Sequence, residues 1–93
     1  MLTLAATLHI PAHVLFTTVE QEAVLLNTVT NKYYSLNEVG ARVWNLLAAG
    51  KTLKEAHQAL LEEFEVDSPQ LEQDILELVQ HLRENGLVEI MEA

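Results

Sequence analysis

Four histidines are the side chains of this sequence best suited to acid–base or metal chemistry: His9, His13, His57 and His81. His9 and His13 have the i, i+4 spacing of a helical metal pair, but Pro11 stands between them and interrupts the helix such a pair needs. His57 and His81 have no histidine or acidic partner at a ligand spacing. All four read as surface or boundary residues. Cysteine is absent, which removes thiol catalysis, disulfides and thiolate metal sites. Of the two serines, Ser68 precedes Pro69 in the pattern of a helix cap, and neither it nor Ser35 lies beside an evident base. Gly40, Gly50 and Gly86 are too far apart to cradle a phosphate. The acidic run Glu62, Glu63, Glu65 and Asp67 reads as a solvated helix end. No catalytic residue, metal ligand or cofactor is expected, and the chain reads as a non-enzyme.

Binding chemistry is better represented. The net charge is -9, from 5 Lys+Arg against 14 Asp+Glu. Nucleic acid needs basic groups to neutralise its phosphates, and these are few and scattered, at Lys32, Arg42, Lys51, Lys54 and Arg83. Anionic membranes would repel the same surface. The charge suits a neutral or basic peptide, or serves solubility. Hydrophobic residues make up 49% of 93 residues, rich for one small domain, so apolar surface is expected to remain for a partner. The apolar start is cut short by His9 and Pro11 and has no basic region, unlike a signal peptide. With no cysteine, a cytoplasmic location is expected.

The elements that must position a site follow from composition. β-Branched and aromatic residues are dense before Asn37, whereas Ala, Leu, Glu and Gln dominate after it. This predicts strands first and helices second. Residues 3–9 could form a short strand; residues 13–19, 23–28 and Lys32–Leu36 form a three-stranded antiparallel meander. Asn31 provides turn chemistry before the third strand. Asn37 caps a first helix that Gly50 stops. Thr52 and Glu55 form a capping box for a second. The third runs from a Ser68 cap with Pro69 at its first position to about Asn85, where Gly86 ends it. Residues 87–90 could form a last strand.

Two features of this plan suit an extended peptide. The first and third strands of a meander are edges, with backbone groups that a further strand can pair. Along the third, Lys32, Tyr33, Tyr34, Ser35 and Leu36, period two turns Tyr34 and Leu36 to the core and leaves Tyr33 exposed. On the third helix, Leu71, Ile75, Leu78 and Leu82 form the buried stripe. Asp74, Glu77, His81 and Glu84 form a solvated flank. The opposite flank, Glu72, Leu76, Val79 and Arg83, is an apolar patch between an acid and a base, and it is expected to wall a groove with Ile75.

The order Tyr34-Ser35-Leu36-Asn37, Gly40, Val43-Trp44, then Gly50-Lys51-Thr52-Leu53-Lys54-Glu55, and finally Leu82 to Leu87 resembles the signature of PqqD-like proteins. The likeness runs from about Leu8 to Ile90; Asn31 replaces a turn glycine common in relatives. It implies an α+β, winged-helix-like domain, a three-stranded antiparallel sheet followed by three helices, over residues 1–93. Relatives act as RiPP recognition elements: they bind the leader segment of a ribosomally made precursor beside the third strand and against the third helix. A discrete acidic chain is similar to the leader-binding protein of lasso-peptide pathways. Its implied partners are a separate cysteine-protease-like leader peptidase and a cyclase related to asparagine synthetase. The alternatives are a PqqD-type peptide chaperone for a radical enzyme and a winged-helix regulatory or dimerisation module. A DNA-binding winged helix is disfavoured, because the third helix carries Arg83 against Glu72, Asp74, Glu77 and Glu84.

Overall fold

Alternation in the first half of the chain builds a sheet with one covered face. In the computed structural model, which describes residues 3–92, strands β2 (Val14–Val19), β3 (Glu22–Asn27) and β4 (Lys32–Leu36) form an antiparallel meander in the order β2-β3-β4. Met1, Leu2 and Ala93, the ends of the expected 1–93 domain, lie outside the described residues. Ala23, Leu25 and Asn27 point inward and are buried, as are Val14 and Leu36 on the flanking strands. The β2–β3 turn places Glu20 at φ 60, and the β3–β4 turn places Asn31 at φ 59. Asn tolerates this left-handed backbone; Glu does so at a cost.

The helices cover the inner face. Helix α1 (Glu38–Ala48) starts at Asn37, whose Oδ1 accepts the Gly40 N–H at 2.9 Å. Helix α2 (Leu53–Glu63) has the expected Thr52–Glu55 capping box, with bonds of 2.9 and 3.1 Å. Helix α3 (Ser68–Glu84) is capped by Asp67, not by Ser68: the Asp67 carboxylate accepts the Gln70 N–H at 3.2 Å, and Ser68 is already helical. Gly50 and Gly86 follow the ends of α1 and α3 at φ 90 and 71, positions that suit glycine.

The first expected strand is shorter than residues 3–9. Only β1 (Thr7–His9) is extended, and it pairs antiparallel with β5 (Glu89–Met91) in a second, two-stranded sheet. The core joins both sheets to the helices through Leu8, Leu25, Leu36, Val43, Trp44, Leu47, Leu53, Leu60, Ile75, Val79, Leu82 and Leu87. Trp44 lies within it, edge-on to Phe16 at a centroid distance of 5.3 Å, and its Nε1 has no hydrogen-bond partner among the described residues. His57 is buried rather than at the surface, and its Nε2 lies 3.0 Å from the Ser68 carbonyl, joining α2 to the start of α3. Glu63 belongs to an ion pair: its two oxygens accept Arg42 Nε and Nη2 at 2.8 and 2.9 Å, clamping α1 to α2. No described helix is long and apolar enough to cross a membrane.

Candidate functional site: a strand edge beside a helix-walled groove

Strand β4 exposes one edge. Among the described residues it pairs only with β3, from Ala23↔Leu36 to Asn27↔Lys32. Beside its C-terminal half lies a groove of about 580 Å³ between β4, the start of α1 and one face of α3. Leu36, Val39, Val43, Leu71, Ile75 and Leu78 supply apolar lining, while Asp67, Gln70 and Asp74 lie along α3. Apolar groups left accessible in such a groove gain by being covered, and an open edge offers backbone donors and acceptors for an added strand.

A buried polar network holds the two walls in place. Asn27, only 2% exposed, donates through Nδ2 to the Asn85 carbonyl at 3.0 Å, while its Oδ1 accepts the Val29 and Thr30 N–H groups at 3.0 and 3.3 Å. Tyr34 donates its hydroxyl to Asn85 Oδ1 at 3.1 Å. One asparagine thus shapes the turn that feeds β4 and ties that turn to the end of α3. A β-carbon at Gly86 would come within 3.1 Å of Asn27 Nδ2, so the close approach there also favours glycine.

The expected site residues divide. Ser35, Leu36 and Ile75 line the groove. Lys32 and Tyr33 lie exposed on β4, with Tyr33 on the outer sheet face; Tyr34 is half-buried on the inner face. The remaining residues of the expected wall lie elsewhere. Val79 is fully buried in the core. Leu76 is half-buried against the core, with Glu72 on the same flank of α3. Arg83 lines a separate depression of about 670 Å³ with Pro11, His13, Val88 and Ile90. The buried stripe of α3 is Leu71, Ile75, Val79 and Leu82. It is rotated by roughly 25° from the expected stripe, at 100° per residue. That rotation sends Val79 inward and turns Leu78 and Asp74 into the groove. Both stripes obey helical spacing, so periodicity alone does not choose between them. Asp74, expected on a solvated flank, and Leu78, expected in the core, also line the groove, as do Val39, Val43, Asp67, Gln70 and Leu71, none of which sequence reasoning placed in it.

Glu55, Glu63 and Arg42, all away from the groove, depart from their ordinary proton affinities. The backbone N–H of Thr52 holds Glu55 below the usual glutamate range, and the Arg42 guanidinium does the same for Glu63. The Glu63 hydrogen bond in turn raises Arg42. These shifts belong to a helix cap and an interhelical clamp.

A winged-helix-like α+β domain with an open strand edge beside a helix-walled groove is the class that fold and site define. The chain belongs to the PqqD family: the model described as "Coenzyme PQQ synthesis protein D (PqqD)" matches residues 22–88. Two solved structures share the fold over nearly their whole length. One is TbiB1 in complex with the TbiA(beta) leader peptide, 35% identical, with a TM-score of 0.82 over 86% of this chain and 93% of that one. The other is lasso peptide synthetase B1 complexed with the leader peptide, 28% identical, with a TM-score of 0.81 over 88% and 96%. No curated protein matches the chain.

Proposed function

We propose that this chain is a non-catalytic leader-peptide-binding protein of lasso-peptide biosynthesis, a single domain working in the cytoplasm. The leader segment of a precursor adds antiparallel to β4 and sets alternate side chains into the groove. Backbone bonds to the edge supply affinity with little sequence preference, and the pockets supply selectivity. The chain presents the bound precursor to separate enzymes, a cysteine-protease-like leader peptidase and a cyclase. The observation that carries this reading is the open β4 edge beside an apolar groove, in a fold whose solved counterparts hold leader peptides.

The second reading, a PqqD-type chaperone for a radical enzyme, draws on the description of the family model. The test uses precursor peptides encoded beside the gene. A synthetic leader titrated into the labelled protein should shift the amide signals of β4 and of α3 residues 70–78, and it should be recovered uncut. Cleavage of the leader by the purified chain, or binding that leaves β4 unperturbed, would overturn the proposal. Tight binding of a PQQ-type precursor in place of a lasso leader would favour the second reading.

A further inference from the structure

The groove has an apolar lining and charge of one sign. Asp67 and Asp74 line it, and no Lys or Arg does. Among the described residues the Lys and Arg side chains form one ion pair, Arg42–Glu63, and His9 approaches Glu89, so neither aspartate has a cationic partner. Asp74 uses Oδ1 to accept Gln70 Nε2 at 2.8 Å, and Asp67 uses Oδ2 to cap Gln70. Each carboxylate keeps a second oxygen with no hydrogen bond to the described residues.

An opposing field must be weighed. Helices α1 and α3 both begin at the groove, and helix N-termini attract anions. Each is equivalent to roughly half a positive charge, so the two together bring about one. Part of that is already answered by Asn37 Oδ1 on Gly40. Against it stand the two full negative charges of Asp67 and Asp74, with exposed Glu38 in the first turn of α1. The carboxylates outweigh the dipoles, so the groove carries net negative charge.

We infer that the groove selects a peptide carrying Lys or Arg two residues from an apolar anchor, with the cation held by Asp74 or Asp67. The spacing follows from strand geometry. Alternate residues of an added strand point the same way and lie about 6.6 Å apart. Asp67 and Asp74 are separated by two turns of α3, about 10 Å. For a strand that lies along α3, an apolar side chain on Leu71, Ile75 and Leu78 leaves its i+2 or i−2 neighbour within reach of one carboxylate. This inference rests on the leader-capture reading and names the chemistry that its pocket accepts.

The test is a selection from a phage-displayed library of random peptides on the full chain, followed by anisotropy with the enriched peptides and amide-shift mapping. Wild type should enrich an apolar residue with Lys or Arg two positions away. Asp74→Asn should weaken those peptides about two- to fivefold at low salt, the range of an exposed ion pair. Glu62→Gln makes the same change of net charge outside the groove and should leave them unaffected. Asp74→Lys should shift enrichment toward Asp or Glu at the same position. Peptides that perturb β4 but carry no basic residue would overturn the inference and leave leader capture standing. Equal losses in Asp74→Asn and Glu62→Gln would reduce the effect to general steering and overturn it as well. A selection in which no enriched peptide perturbs β4 would remove both readings.

Discussion

Leu78→Asp should abolish most leader binding while leaving the fold intact. Leu78 is half-buried on α3 and lines the groove beside Leu71 and Ile75. Burying a whole leucine is worth about 1.5–3 kcal/mol, so the part that a bound peptide would still cover contributes on the order of 1 kcal/mol. The substituted carboxylate must also lose water against an apolar peptide side chain, at about 1–3 kcal/mol on mutational scales. The sum, roughly 2–4 kcal/mol, corresponds to a loss of affinity of about 30- to 1000-fold. The matched variant is Leu76→Asp, the same change on the opposite flank of α3 and outside the groove, which should leave Kd within about twofold of wild type. Both residues pack partly on the core, so thermal melts of the two variants should fall together. Calorimetry with the leader peptide reads the difference. If Leu76→Asp loses binding and Leu78→Asp keeps it, the peptide lies against the Glu72, Leu76 and Arg83 flank of α3, and the groove between β4 and α3 is not its seat.

Asn27→Ala should cost about 2–3 kcal/mol of stability, because it strands the Asn85 carbonyl and two turn N–H groups; a urea titration measures it. Glu20→Gly should stabilise the protein by up to about 1 kcal/mol, since glycine occupies the positive-φ turn without strain and gives back part of that gain through its freer unfolded state; an unchanged or lower melting temperature would count against it. Glu55 and Glu63 are held below their unfolded values, so their stabilisation is fully present above the ordinary glutamate range, about pH 4.3, and is lost as pH falls through their lower folded values. Melting temperature should accordingly drop on acidification below about pH 4.3, and less steeply in Glu63→Gln than in wild type.

Most of the scaffold was legible because its signals are local. Asn37, the Thr52–Glu55 box and Gly50 act within one helical turn of their own positions, and Tyr33 and Tyr34 separate by strand alternation alone. The candidate groove was legible to the level of elements, β4 and α3, and not to the level of the helix face. Leu71, Ile75 and Leu82 belong to two overlapping stripes; whether Leu78 or Val79 completes the buried one depends on how α3 lies against the sheet and α2. The same holds for partners distant in sequence. Arg42 with Glu63, His57 with Ser68, and Asn27 with Asn85 meet only once the helices have packed, so the acidic run near residue 63 and the buried histidine carried no advance sign of their roles.

The pairing of Thr7 with Met91 gives the molecule a single seam at which its described chain both enters and leaves. Neither strand of that seam contributes to the groove wall. A flexible bridge from residue 92 back to residue 3, in the turn just ahead of β1, would close the seam, so the order of elements could be rotated by opening the chain at the exposed β2–β3 turn around Glu20. Anything fused before Thr7 or after Met91 would be tethered at that same seam. An enzyme joined at either end would thus be anchored at one spot on the domain, and the choice of end would do little to its reach toward a peptide lying along β4.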